Sequence, residues 1–255
     1  MLSTSSGVEL GRLLAPRHGP GVCPHCLNLT AEPSGLCRAC RAGEQRLAAV
    51  LPISYSVGGE WLHRLIAGYK RDADPWVPEA AATLARICER FIRAHESCLA
   101  AAAGVGSFDL VCTVPSSSVM RDVRHPLRRV VGELTEATRD RYARLLVPAQ
   151  AAGVSVGAGV GASVPRRFDA GRYRTTRRLR GEAVLLIDDM WTSGASAESA
   201  GAALLGAGAG TVAAIVIARH LNRGWDLNDL RLRACAARGF GYERCALCEG
   251  GERPA

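Results

Sequence analysis

Apolar positions along the chain form short runs that predict buried strands separated by helices. Three such runs are FDLVCTVP (108–115), EAVLLIDD (182–189) and TVAAIVIAR (211–219), and a fourth opens LPISYSVGGEWLHRLIAGYK (51–70). The segment ASAESAGAALLGAG between two of the strands predicts a helix, and the order strand, helix, strand favours parallel pairing. We therefore expect an α/β fold with a doubly wound, mostly parallel sheet.

Helical periodicity accounts for most other apolar segments. After a turn at Gly58-Gly59, one helix face is predicted to carry Leu62, Leu65, Ile66 and Tyr69. Two longer helices are predicted over 75–102 and 125–148, whereas the Gly/Ala-rich stretch 149–167 has no clear period and predicts a loop. The pattern divides the chain into an N-terminal lead and module (1–50), a main domain (51–240) and a tail (241–255).

Four cysteines in the N-terminal module follow the spacing C-x2-C-x10-C-x2-C. They are Cys23, Cys26, Cys37 and Cys40. Each C-x2-C turns two thiolates toward one point, and two of them complete the tetrahedral sulfur shell that suits Zn²⁺. We expect one structural zinc per chain in a small zinc-ribbon-like module. A redox dithiol and a chance spacing are the alternatives.

The remaining cysteines carry weaker signals. Cys245 and Cys248 form half a site, which could replace one N-terminal pair, join across a dimer or have no role, and the upstream zinc should not need them. We expect His25, inside the first pair, to be exposed rather than a ligand. The single cysteines are predicted to pack as small apolar residues: Cys88, Cys98, Cys112 and Cys235.

Composition limits the partners and the cellular compartment that we expect for the protein. A net charge of +8, from 32 basic and 24 acidic residues, permits an anionic partner such as a nucleic acid or a phosphorylated metabolite, although solvated Arg-rich faces explain it equally. The N-terminus lacks a secretory pattern, and no apolar run is convincing as a membrane span. We expect a cytoplasmic protein with reduced thiols and no membrane partner. The sequence gives no indication of the oligomeric state.

The strand 182–189 ends in two adjacent acids, Asp188 and Asp189, and a loop of small and hydroxylated residues follows. The loop consists of Thr192, Ser193, Gly194, Ala195 and Ser196. Ligands bind at the carboxyl ends of parallel strands, and backbone N–H groups at the start of the next helix can hold a phosphate. Paired carboxylates can accept hydrogen bonds from vicinal sugar hydroxyls or hold a divalent ion. A ribose 5-phosphate would satisfy both halves of the site.

These residues resemble the thirteen-residue signature of type I phosphoribosyltransferases, here VLLIDDMWTSGAS (184–196). The four-cysteine module, WLHRLIAGYKRDAD (61–74), DLVCTVPSSSV (109–119) and the signature, in that order, resemble the ComF family. Members of that family are competence-associated, phosphoribosyltransferase-like proteins of bacteria. The resemblance covers about residues 20–220 and implies a sheet of the type I phosphoribosyltransferase kind.

The resemblance also implies a site for phosphoribosyl pyrophosphate complexed with Mg²⁺. It implies that Asp188 and Asp189 bind the ribose hydroxyls, and that the loop 192–196 binds the 5-phosphate. The segment 149–167 would be a flexible cover. Candidates for the pyrophosphate site are Ser116, Ser117, Ser118, Lys70 and Arg71.

Two departures from the family pattern bear on function. A Gly/Ala run replaces the expected Arg- and Gln-containing segment, and the replacement charge could come from Arg166, Arg167, Arg172 and Arg174. Thr192 stands where purine-salvage members carry an Asp that acts as a base, which counts against salvage of 6-oxopurines.

Two classes of function stay open. The first is a glycosyltransferase that passes ribose 5-phosphate to an unknown nitrogen acceptor. The second is a non-catalytic sensor of phosphoribosyl pyrophosphate or nucleotides, or an accessory protein of DNA uptake or processing. The segment RRFDAGRYRTTRRLR (166–180), with Phe168 and Tyr173 among its arginines, supports the second class, although no helix-turn-helix signature accompanies it. Nucleic acid is therefore an open but less favoured partner.

Overall fold

A computed structural model of the chain describes residues 10–70, 77–116, 119–149 and 167–249. Six strands are present in these ranges: β1 (Val50–Val57), β2 (Leu110–Thr113), β3 (Leu146–Pro148), β4 (Tyr173–Thr175), β5 (Ala183–Trp191) and β6 (Thr211–Leu221). Four of them form one parallel sheet in the order β1-β6-β5-β2, and β3 pairs with β4 in a separate antiparallel ribbon. The predicted mostly parallel sheet is confirmed.

The helices cover both faces of this sheet. They are α1 (Arg38–Ala42), α2 (Trp61–Gly68), α3 (Val77–Ala102), α4 (Val119–Val123), α5 (Leu127–Arg129), α6 (Glu136–Arg139), α7 (Ala195–Gly206), α8 (Asn228–Arg238) and α9 (Ala246–Glu249), with a π-helical turn at Val130–Leu134. None of the helices in the described ranges combines the length and apolarity needed to cross a bilayer.

Alternate residues along the strands supply two separate cores. Leu185 and Ile187 of β5 point to one face, where they join buried side chains of α3 such as Leu84 and Phe91. Val184 and Leu186 point to the other face, where they join alanines and leucines of α7. Because both faces are covered, residues 184–187 of β5 and 212–218 of β6 are continuously apolar instead of alternating with polar residues. The sheet thus has an α3 face and an α7 face.

The predicted single helix over 125–148 is wrong. The segment contains two short helices, the π-helical turn and the strand β3. Thr135 is extended (φ −100°, ψ 107°), and its hydroxyl donates to the carbonyl of Val130 at 2.8 Å, while the hydroxyl of Thr138 donates to Val131 at 2.5 Å. These side chains take carbonyl acceptors that a continuous helix would use, so the helical ladder is interrupted. The predicted loop over 149–167 lies almost entirely outside the described residues.

Candidate functional site

A cavity of about 500 Å³ opens where β2 and β5 end. It is lined by residues from four segments of the chain, among them Lys70, Ser116, Arg121, His125, Arg172, Asp188, Asp189 and the loop 192–196. Most of the site residues predicted from sequence are therefore brought together, at the sheet edge where ligands of parallel α/β folds bind. The predicted site residues Arg71, Ser117 and Ser118 lie outside the described residues, as does Arg166.

The loop 192–196 leads directly into the N-terminus of α7. Gly194 is the residue before the helix and has a left-handed conformation (φ +85°). A side chain there would also collide with the buried indole ring of Trp191. Glycine is thus required by the backbone and by packing. Residues 195–197 of the first helical turn line the cavity, and the helix dipole favours an anion at this end.

The two acids are in different environments. Asp189 is buried and accepts a hydrogen bond from the hydroxyl of Tyr69, while Lys70 Nζ lies 2.9 Å from its Oδ1 and 2.7 Å from its Oδ2. Asp188 is half-buried, and its Oδ1 accepts the backbone N–H of Asp189 at 2.9 Å. Asp189 is therefore already held by two side chains, whereas Asp188 has acceptor capacity left for a ligand.

The two acids, Asp188 and Asp189, also differ in their electrostatic surroundings. Burial, together with the neighbouring carboxylate of Asp189, raises the pKa of Asp188 to about 7. Burial and the same carboxylate hold the pKa of Tyr69 well above its usual value, so the Tyr69 hydroxyl stays a donor. A cation or a hydrogen-bond donor in the cavity would stabilise the charged form of Asp188.

Two of the residues predicted to contact pyrophosphate already have other partners in this structure. Lys70 is paired with Asp189, as described. The backbone N–H of Ser116 donates to Oδ1 of the buried Asp122 at 3.1 Å. Asp122 also forms ion pairs with Arg128 and Arg144. A ligand anion would have to draw Lys70 away from Asp189, or share it, while Asp122 holds the segment after β2 in place.

Sequence reasoning missed two residues of the cavity, Arg121 on α4 and His125 just before α5. Nδ1 of His125 is buried and has no hydrogen-bond partner among the described residues. Burial lowers the pKa of His125, which favours a neutral ring at neutral pH. Nothing in the local pattern around HPLRR distinguishes a cavity residue from one at a helix start. Together with Lys70 and Arg172, Arg121 gives the cavity three cationic side chains.

Of the three candidate arginines that the structure describes, one reaches the cavity. Arg172 is half-buried, lines the cavity and places Nη1 at 3.4 Å from the hydroxyl of Ser196. Arg167 and Arg174 are exposed. The positive charge that we expected beside the loop 192–196 thus comes from Arg172, which directly precedes β4.

The N-terminal cluster, defined as Cys23, Cys26, Cys37 and Cys40, can bind a metal such as zinc. The four Sγ atoms lie within 4.8 Å of one another, and those of Cys26 and Cys37 are 3.7 Å apart. Tetrahedral zinc with Zn–S bonds of about 2.3 Å needs sulfurs about 3.8 Å apart.

The N-terminal cluster is connected to the loop 192–196 by the buried Arg219 at the end of β6. Its Nε donates to the carbonyl of Cys26 at 3.1 Å, and its Nη1 donates to the carbonyls of Trp191 and Thr192, each at 3.1 Å. One guanidinium therefore joins the first cysteine pair to the start of the loop. Its charge and five donors allow it to satisfy several carbonyls at once.

Glu198 of α7 forms a second connection. Its carboxylate lies 2.6 Å from Nε2 of His25 and accepts the backbone N–H groups of Arg46 and Leu47 at 2.6 and 3.1 Å. His25 also packs edge-on against Trp191. The prediction that His25 is exposed is therefore wrong. Its hydrogen-bond partner Glu198 lies far away in the sequence, so the local pattern could not reveal it.

Searches of protein-family models and of curated proteins find no match to this chain. The resemblance to the ComF family therefore rests on sequence motifs alone, which are the four-cysteine module and the segments 61–74, 109–119 and 184–196. The geometry of those residues is the basis for the functional argument.

Proposed function

We propose that the protein binds phosphoribosyl pyrophosphate, complexed with Mg²⁺, in the cavity at the end of β5, on a sheet of the type I phosphoribosyltransferase kind. One observation carries the proposal: two adjacent acids, three hydroxylated residues at a helix N-terminus and three cationic side chains line the same cavity. A ligand with vicinal hydroxyls at one end and phosphates at two positions matches all three groups.

The 5-phosphate would occupy the N-terminus of α7. Thr192, Ser193 and Ser196 line the cavity there and supply hydroxyl donors beside the backbone N–H groups. Arg172 lies against Ser196 and adds a charge-assisted donor.

The ribose would lie against Asp188. Asp188 accepts from the 2- and 3-hydroxyls, while Tyr69 and Lys70 fix the orientation of Asp189 behind it. The paired acids Asp188 and Asp189 offer carboxylate oxygens to Mg²⁺, which, when bound, would neutralise charge on the departing pyrophosphate. Arg121 is available to that pyrophosphate, and Lys70 would reach it by sharing its ion pair with Asp189.

The cavity suits a transfer at C1 of the ribose that needs no protein nucleophile. Cleavage of the bond to pyrophosphate leaves an oxocarbenium-like centre, and a nitrogen acceptor completes the transfer. The residues present act by positioning the phosphate and ribose and by stabilising charge. Thr192 stands at the position where purine-salvage members carry an Asp that acts as a base. The hydroxyl of Thr192 does not act as a base at neutral pH.

The structure of residues 167–180 weakens the alternative that the protein handles DNA. Tyr173 is buried, and its hydroxyl donates to the carbonyl of Pro115 at 3.2 Å. Phe168 is half-buried and packs beneath the guanidinium of Arg46. Tyr173 therefore offers no open face on which a base would stack, and Arg46 occupies one face of Phe168.

A binding panel followed by a turnover assay tests the proposal. Isothermal titration of the full chain should show that phosphoribosyl pyrophosphate with Mg²⁺ binds at least tenfold more tightly than ribose 5-phosphate or pyrophosphate alone. Equal affinity for nucleotides, or no binding of phosphoribosyl pyrophosphate, would contradict it. Release of pyrophosphate with ammonia or a nucleobase identifies an enzyme, whereas binding without release identifies a sensor.

A further inference from the structure

The last two cysteines meet two residues of α3 that lie about 150 positions earlier in the chain. Sγ of Cys248 is 3.1 Å from Sγ of Cys98, 3.2 Å from Sγ of Cys245 and 3.4 Å from Nδ1 of His95. All four ligand atoms lie within 4.8 Å of one another. We call this group the tail cluster; the half-site of the tail is thus completed by α3 and not by an N-terminal pair.

Local structure explains why the two residues in each half of the tail cluster lie close together. His95 and Cys98 are three residues apart on α3, so their side chains project from the same helix face. Cys245 and Cys248 form a C-x2-C in which the backbone N–H of Cys248 donates to Sγ of Cys245 at 3.4 Å. The tail pair therefore has the geometry of a metal-binding knuckle.

The imidazole of His95 is oriented as a metal ligand. Its Nε2 lies 2.8 Å from the carbonyl oxygen of Tyr242, and a carbonyl can only accept, so Nε2 carries the proton. Nδ1 then presents its lone pair to the sulfurs of Cys98 and Cys248. A backbone carbonyl that fixes the tautomer of a ligating histidine is the usual outer-shell arrangement at zinc.

The ligand set identifies the metal class. Three thiolates and one imidazole form a closed tetrahedral shell, which is typical of structural zinc. The sulfur separations of 3.1 and 3.2 Å are well beyond the ~2.05 Å of a disulfide. They lie closer to the ~3.8 Å spacing of sulfurs around one zinc.

We propose that His95, Cys98, Cys245 and Cys248 bind a second structural zinc ion that fastens the tail to α3. The neighbouring contacts already bring the two together, since Arg90 lies over the ring of Tyr242 at 4.2 Å and Phe240 packs edge-on against that ring. The chain therefore carries two zinc ions instead of the one expected from its N-terminal spacing. This proposal is independent of the ligand in the cavity.

Metal analysis of purified variants tests the second site. The full chain should contain about two zinc ions, and Cys98→Ala and Cys245→Ala should each reduce this to about one. Cys88→Ala, a buried cysteine of the same helix outside both clusters, is the matched control and should keep two. One zinc in the full chain, unchanged in Cys98→Ala, would overturn the proposal, as would iron at this site.

A second measurement needs no variant and so does not depend on how variants fold. In the native full chain, Cys98, Cys245 and Cys248 should resist alkylation, and a zinc chelator should expose them together. Rapid alkylation of the three thiols before chelation would contradict the proposal. A mass lower by two hydrogens with no bound zinc would also contradict it, because the sulfurs would then form a disulfide.

Discussion

The two clusters lie on opposite faces of the sheet and are attached to different parts of the molecule. The N-terminal cluster belongs to the core of the α7 face, whereas Cys245 of the tail cluster belongs to the core of the α3 face. Arg219 and Glu198 join the N-terminal cluster to the loop 192–196 and to α7. The tail cluster instead joins the end of the described chain to one helix. Two cysteine-rich clusters thus lie in different contexts. The N-terminal cluster contacts the loop 192–196, and the tail cluster contacts α3.

Loss of the N-terminal metal should have the largest effect. Cys37→Ser removes one of four ligands, and because metal binding and folding are coupled in so small a module, the segment before β1 should lose its structure. Arg219 and Glu198 would then lose their partners near the loop. We expect one zinc fewer and an affinity for phosphoribosyl pyrophosphate lower by on the order of a hundredfold, measured by metal analysis and calorimetric titration.

Cys235→Ser is the control for this variant, because Cys235 is a buried cysteine outside both clusters. It should retain both metal ions and near-normal affinity. Normal ligand affinity in Cys37→Ser, despite the loss of zinc, would show that the N-terminal cluster does not support the loop.

Arg219→Gln tests the connection itself while leaving the ligands of the cluster in place. The shorter neutral side chain cannot donate to the carbonyls of Cys26, Trp191 and Thr192 together, and a hydrogen bond from a charged donor is worth about 1.5–3 kcal/mol. We expect both zinc ions to be retained and ligand affinity to fall about tenfold. Hydrogen exchange of residues 192–196 should accelerate in the absence of ligand. Unchanged exchange would contradict the connection.

A pH series of melting temperatures distinguishes Asp188 from a purely structural acid. Its pKa is raised from 3.8 to about 7 in the folded chain, so the folded state binds more protons than the unfolded state between these values. Stability from this group therefore falls as pH rises from about 4 to 7. Asp188→Asn should raise the melting temperature by about 2–4 °C at pH 8 and have little effect at pH 4. A loss of stability at pH 8 would indicate a structural role.

Loss of the tail metal should have the smallest effect on the binding site. Cys98→Ala should lower the melting temperature by about 2–4 °C and expose the tail to proteolysis. Its affinity for phosphoribosyl pyrophosphate should stay within about twofold of the full chain, since nothing in the described contacts links α3 to the loop through this cluster. A tenfold loss of affinity would show that the two clusters are coupled.

The sequence was most informative where a local pattern determines the structure. Apolar runs predicted β2, β5 and β6, and the C-x2-C spacing predicted the N-terminal cluster. The acids Asp188 and Asp189 could be placed at a strand end because β5 is apolar up to them.

The sequence was least informative where a partner is distant or a side chain competes with the backbone. Cys98 was predicted to pack as a small apolar residue and instead lies beside Cys248, while His95 was not singled out, because the other half of their cluster lies in the tail. The hydroxyls of Thr135 and Thr138 interrupt a segment whose apolar period alone predicted a helix. The different environments of Asp188 and Asp189 depend on Tyr69 and could not be inferred from two adjacent letters.

Titration of Mg²⁺-complexed phosphoribosyl pyrophosphate into Asp188→Asn tests the central claim most directly. Asp140→Asn is the control, because that side chain is 89% exposed and does not line the cavity. We predict that Asp188→Asn weakens binding by on the order of tenfold to a hundredfold, since it removes charge-assisted acceptors worth about 1.5–3 kcal/mol. Its fold should stay intact in a thermal melt, and Asp140→Asn should bind normally. Unchanged affinity in Asp188→Asn would contradict the assignment of the cavity as a phosphoribosyl pyrophosphate site.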